Sequence, residues 1–315
     1  MTNENIAVVF PGQGSQRPGM GKDFYEEMPV CRETYQEASD VLGWDVAAMC
    51  FGDDERLNQT EYTQPCIVTT EVAMLRGLAE RYGFLPGIYG GHSLGEYTAL
   101  VAAGVIPLSV ALYIVGARGR LMQEAMPLGT GAMSAVISPG VEATAIERLI
   151  CDLPIDVANV NSRDQVVISG HAEGMPAAES RIIEAMEKEK RECRIVSLNV
   201  SAAFHSRFMA PIQVPLAEVL SEYRDFISAK SACRVTSNYT GTFHVPSEDR
   251  LCESLISQVT GTVRWKENVE TLAKTAREVF EIGPSRPLKS LLNSMGVECR
   301  AINTLGMADR IFGMN

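Results

Sequence analysis

Five residues, Gly91-His92-Ser93-Leu94-Gly95, set a serine between two glycines, and this stretch restricts the fold of the chain more than any other. Small residues on both sides of a serine mark a backbone that turns sharply from strand to helix and holds the hydroxyl out. After the turn, Leu94, Tyr97, Leu100 and Val101 recur at spacings of three and four, which predicts a helix with Gly104 as its stop. The preceding segment, "FLPGIYGG", reads as a strand chiefly because it leads into that serine turn and helix, since Pro86 and Gly87 both oppose strand formation. Such an elbow exposes the Ser93 hydroxyl and leaves the Leu94 N–H free at the positive end of a helix, where an oxygen gaining charge could be held. The same pattern also serves as a plain glycine-rich turn that packs a strand on a helix.

The rest of the chain alternates apolar runs with amphipathic stretches between short Pro- and Gly-containing loops, which predicts an α/β protein. "IAVVF" (6–10) reads as a buried strand entering the turn "PGQGSQRPGMG", and helices are expected near 23–41, 64–82, 94–104 and 109–126. Near residue 128 the texture changes to a strand ("GAMSAVIS"), a helix near 141–151, a hairpin in "IDVANVNSRDQVVISG", a charged helix near 174–190 and "CRIVSLNV". Two β-α-β-like units in so short a span predict a small split β-α-β domain over 128–196, inserted in a large domain made of 1–127 and 197–315. Val196, Leu198 and Val200 alternate with Ser197, Asn199 and Ser201, which predicts a half-buried strand returning the chain to the main body.

The 315 residues are 46% hydrophobic and 21% charged, values that exclude a disordered or fibrous chain. No apolar run reaches the length of a membrane span, and the N-terminus lacks the basic-then-apolar pattern of a secretory signal, so a cytoplasmic protein with no membrane partner is expected. Eight scattered cysteines without a C-x-x-C pair read as free thiols of a reducing compartment, with neither disulfides nor a metal site expected. A net charge of −11 disfavours nucleic acid as a partner and requires any anionic ligand to be met by a local cation.

A reactive serine needs a base, and the chain has four histidines, His92, His171, His205 and His244. His92 adjoins Ser93 around a sharp turn and is expected to support the elbow or line a pocket. His171 lies in the inserted segment, and His244 in the polar stretch "YTGTFHVPSED" reads as a surface residue. His205 ends the alternating strand, at the kind of position where α/β folds gather reactive groups, and elimination favours it. In "SVALYIVGARGRLMQEAM" the helical neighbours of Arg118 are Ala111, Ile114, Leu121 and Met122, whereas Arg120 has Glu124 one turn on and reads as solvated. A guanidinium on an apolar face needs an anion, either an internal Asp or Glu or a carboxylate on the substrate, for which the arginine fork is suited.

With "FPGQGSQ" (10–16), "TQPCI" (63–67), "GHSLGEY" (91–97), "RGRLMQ" (118–123), "VANVNSRDQVVISG" (157–170), "AFHS" (203–206), "SNYTG" (237–241), "QVTGTVRW" (258–265) and "IGPSRPL" (282–288), the chain resembles malonyl-CoA:acyl-carrier-protein transacylases nearly end to end. The group includes freestanding acyltransferases that serve polyketide synthases in trans. The resemblance implies a large α/β-hydrolase-like domain with a parallel sheet, a small ferredoxin-like domain, and an active site in the cleft between them. It implies transfer of malonyl from malonyl-CoA to the phosphopantetheine thiol of acyl carrier protein, in fatty-acid or polyketide synthesis, with no bound cofactor. By motif, Ser93 resembles the acylated nucleophile, His205 its base, Arg118 the malonyl-carboxylate ligand, and Gln13 and Leu94 the oxyanion-hole amides. Gln64 and Asn161 resemble pocket positions, and a main-chain carbonyl near Gln258 resembles the group that orients the histidine, so no acid third member is expected. "SAAF" departs from the fatty-acid-synthesis pattern toward malonyl-selective polyketide enzymes, which makes Phe204 a specificity candidate. The alternatives are an α/β-type serine hydrolase or thioesterase, and a noncatalytic carrier-docking module. A usually acidic carrier requires a basic patch on this acidic chain, for which "EKEKRECR" (187–194) and Arg286 with Lys289 are candidates.

Overall fold

The computed structural model describes residues 3–127, 129–200 and 202–313, so Leu128, at the start of the expected insertion, and Ser201 lie outside the described residues. Eight strands run in chain order as β1 (Asn3–Phe10), β2 (Pro86–Gly91), β3 (Gly131–Ile137), β4 (Ile155–Val160), β5 (Gln165–His171), β6 (Arg194–Ser197), β7 (Glu278–Ile282) and β8 (Cys299–Ile302). They form two sheets.

The larger sheet has the order β2-β1-β7-β8 and is parallel throughout. Its central strand β1 ends in four fully covered residues, the near-continuous apolar run expected where helices cover both faces. Strand β2 forms despite its Pro86 because the proline is its first residue and the strand stands at the end of the sheet order, where a missing N–H costs least. The helix expected near 23–41 is two helices, Lys22–Glu27 and Pro29–Leu42, because Met28 before the proline is extended (φ −125°, ψ 121°). The next one starts earlier than expected, at Thr60, and runs to Tyr82.

The smaller sheet is antiparallel with the order β4-β5-β3-β6, and the helices Ala143–Ile150 and Met175–Lys188 join β3 to β4 and β5 to β6. This is the split β-α-β arrangement of a ferredoxin-like unit. Alternation sorts its two faces: Val136, Val166 and Ile168 pack with Ile146, Ile150, Ile182 and Met186 of the helices, while Met133, Ala135 and Val167 join the core of the larger unit. We propose a domain division that follows the two sheets, with 128–196 set into 1–127 and 197–315. Ser197 falls on that boundary.

One expected strand is placed differently. β6 ends at Ser197 and pairs with β3 through Ser134↔Ser197 and Ile137↔Arg194, so it closes the small sheet instead of returning to the main body. Alternating Val and Ser fit any half-buried edge, and the free edge of β3 supplies the partner. His205 therefore lies in a turn and not at a strand end. Among the described residues no helix is long and apolar enough to cross a membrane.

Candidate active site

The elbow forms as its glycines require. Ser93 takes φ 52°, in the left-handed region, and a Cβ on Gly91 would stand 1.9 Å from the Gly95 carbonyl carbon. On Gly95 it would meet the Phe10 carbonyl oxygen at 2.1 Å, so neither position admits a side chain. Asn238 locks the turn: its Oδ1 accepts the Ser93 N–H at 2.7 Å and its Nδ2 donates to the Gly91 carbonyl at 2.6 Å. The helix Gly95–Ala102 follows, and Gly104 (φ 71°) ends it.

Ser93 Oγ lies 2.7 Å from His205 Nε2, and His205 Nδ1 lies 2.9 Å from the main-chain oxygen of Gln258. A carbonyl can only accept, so Nδ1 carries the proton and Nε2 is left to take one from the serine. His205 is 4% exposed, and burial first, then the Arg118 cation, push its imidazole down to about 3, against the pull of the Gln258 carbonyl.

Arg118 projects from the helix Leu108–Glu124 and is 1% exposed. Its Nη1 donates to Gln64 Oε1 at 2.9 Å, and its Nη2 donates to Gln258 Oε1 at 3.0 Å and to Ser93 Oγ at 3.2 Å. The guanidinium lies 5.5 Å from the centre of the Tyr97 ring. Among the described residues its hydrogen-bond partners are neutral oxygens alone, and its Nε has none. A cation this dry, with no carboxylate in contact among the described residues, is costly unless a ligand completes it.

These groups face a cavity of about 140 Å³ whose wall includes Gln13, Leu94, His92, Asn161 and Phe204. At roughly 30 Å³ per water that is room for about five water molecules, which suits a short acyl group. His92 Nε2 lies 2.8 Å from Asn161 Oδ1, tying the elbow to the small sheet, and burial pushes the His92 imidazole down. The loop carrying Gln13 passes close to the elbow, since a Cβ on Gly12 would lie 3.7 Å from the Leu94 nitrogen. Among the described residues, the main-chain N–H groups of Gln13 and Leu94 donate to no protein oxygen. A larger groove of about 460 Å³, walled by Trp44, Tyr62, Tyr113 and Tyr223, brings no serine, cysteine or histidine to its lining.

One sequence expectation needs correction. His244 is 4% exposed, not a surface residue, because its Nε2 lies 2.7 Å from Glu96 Oε1. Arg120 is exposed, as expected of a solvated arginine. Asn238 and Glu96 were not singled out by sequence. Glu96 carries part of the signal that revealed Arg118, a charge whose neighbours one turn on, Ala99 and Leu100, are apolar and buried.

Residues 7–286 match the acyl transferase domain family. The chain belongs to that family. Over 312 residues this acyltransferase is 37% identical to the malonyl CoA-acyl carrier protein transacylase of Bacillus subtilis (strain 168), covering 96% of its own chain and 93% of that protein. It superposes with TM-score 0.88 on an acyl carrier protein S-malonyltransferase of Vibrio cholerae, 36% identical, covering 98% of this chain and 99% of that one. It is equally close, with TM-score 0.88 and 36% identity over 99% of this chain and 100% of the other, to a malonyl-transacylase solved with its type II polyketide synthase acyl carrier protein. Like those chains, the acyltransferase joins a parallel α/β sheet to a small antiparallel one.

Proposed function

We propose that this acyltransferase moves malonyl from malonyl-CoA to the phosphopantetheine thiol of acyl carrier protein, in fatty-acid or polyketide synthesis, through a malonyl ester on Ser93. The observation that carries the reading is the Arg118 guanidinium, buried without an acid partner and 3.2 Å from Ser93 Oγ. A malonyl group on that oxygen would bring its free carboxylate to the cation. An acyl group ending in a methyl would leave the guanidinium unpaired, which penalises it.

Catalysis then follows from the geometry. His205 Nε2 takes the Ser93 proton as Oγ attacks the thioester carbonyl, and the Gln13 and Leu94 N–H groups receive the oxyanion. Collapse breaks the C–S bond, and the imidazolium returns its proton to the CoA sulfur. The carrier thiol reverses the sequence: His205 takes its proton, sulfur attacks the ester, and Ser93 leaves with the proton restored. The main-chain carbonyl of Gln258 keeps His205 in the tautomer this requires, the part an acid plays in serine hydrolases. Gln64 holds Arg118, His92 and Asn161 shape the wall, and the Phe204 ring crowds the place of an α-methyl branch. The scheme calls on malonyl-CoA as substrate and on no resident cofactor, and both substrates belong to the cytoplasm. Arg286 is exposed, as is most of the 187–194 stretch, which supports these segments as the basic surface for an acidic carrier.

The test is intact-protein mass spectrometry after incubation with malonyl-CoA. One malonyl adduct is expected, mapped to Ser93 and absent from Ser93→Ala. An adduct elsewhere, or none, contradicts the scheme.

A further inference from the structure

Glu96 is wholly buried in the helix that follows Ser93, and the steps above give it no task. Its Oε1 meets His244 Nε2 at 2.7 Å. Its Oε2 accepts from Gln258 Nε2 at 2.7 Å and from the Asn238 main-chain N–H at 3.0 Å. Every polar group of the Gln258 side chain is thereby committed: Nε2 to Glu96 and to the Ser93 carbonyl at 3.2 Å, Oε1 to Arg118. The main-chain oxygen of the same residue holds His205. Rotating the amide by half a turn would set its oxygen against a carboxylate and its NH2 against a guanidinium, two repulsive contacts in a dry site. Glu96 thus decides which end of Gln258 faces Arg118.

We propose that Glu96, itself held by His244, is a positioning residue that sets Arg118 and His205 together through the single side chain and carbonyl of Gln258. The inference rests on the malonyl-transfer reading. It gives this site its acid at one remove: the carboxylate contacts neither the serine nor its base, and it makes no hydrogen bond to Arg118, whose partners are neutral oxygens.

A carboxylate that only stabilises the fold would change the amount of active protein, equally for every acyl donor. A positioning carboxylate changes the preference between donors. The test measures kcat/KM for malonyl-CoA and acetyl-CoA, normalised to the fraction of enzyme that acylates, in wild type, Glu96→Ala and Glu96→Gln. If the wild type does not prefer malonyl, the functional reading fails and not this inference. With the preference in place, Glu96→Ala is expected to lower the malonyl-to-acetyl ratio about tenfold, as the loss of a buried acceptor would. Glu96→Gln is expected to keep the ratio within about threefold, because its amide oxygen can still face Gln258 while its NH2 donates to His244 in the other tautomer. An unchanged ratio in Glu96→Ala, or an equal loss in Glu96→Gln, overturns the proposal. Should Glu96→Ala fail to fold, Glu96→Asp, one methylene too short to reach both partners, decides: a fall in the ratio supports the proposal and an unchanged ratio overturns it.

Discussion

The Arg118 cation and the His205 base stand on either side of the same hydroxyl, so each governs the other. Burial and then Arg118 push His205 down to about 3, which makes it a weak base while the guanidinium is bare. A carboxylate that pairs with Arg118 removes the second cause, and His205 gains basicity once a diacid is seated. The neutral imidazole is the active form, so a lowered value keeps wild type active well below the ordinary histidine range near 6.5. Arg118→Ala takes away a cause of the lowering, and its acid limb should move to higher pH. Single-turnover acylation by acetyl-CoA between about pH 4 and pH 8 checks this, and superimposable profiles would contradict it. The meeting of Ser93, His205 and Arg118 had readable antecedents: a serine between glycines, only four histidines to choose from and a cation on an apolar helix face. The burial of His244 had none, since its neighbours in "YTGTFHVPSED" are polar and only the distant Glu96 explains it.

At the scale of elements, the elbow depends on a segment far along the chain. Asn238 satisfies both the Ser93 N–H and the Gly91 carbonyl, and it is fully buried. Asn238→Ala would orphan two main-chain groups, at about 1–3 kcal/mol each, and free the serine to drift from His205. A clear fall in thermal stability is expected, with a loss of acylation rate on the order of tenfold or more. Unaltered stability and rate would show that the glycines alone hold the turn. The helices around the elbow could be read from their periodicity, but β2 and β6 could not be fully read. Pro86 and Gly87 hide a strand whose order comes from its neighbour β1, and the Val–Ser alternation near 196 says that a strand exists without saying which sheet it joins. Local pattern sets the period of a strand, and tertiary pairing sets its address.

Across the whole molecule, the small sheet roofs the parallel one. His92 and Asn161 meet across the cleft, and Asn159 of β4 bridges to Val263 in the loop that follows Gln258. The cavity is thus lined from both sheets, and the βαββαβ order around the smaller one was readable because the apolar period switches between strand and helix twice in its span. What no local pattern could supply is the meeting of residues 93, 118, 205 and 258, which relies on chain order at the level of the fold. On the proposed reading, an acidic chain that handles an acidic acyl group meets it with a local cation, and Arg118 is the one beside the serine. The most direct test compares transfer from malonyl-CoA and from acetyl-CoA to holo acyl carrier protein by wild type and Arg118→Ala. The variant is expected to lose malonyl transfer by about a hundredfold or more while acetyl transfer falls far less or rises. Equal losses for the two donors would show that the buried guanidinium does not read the carboxylate.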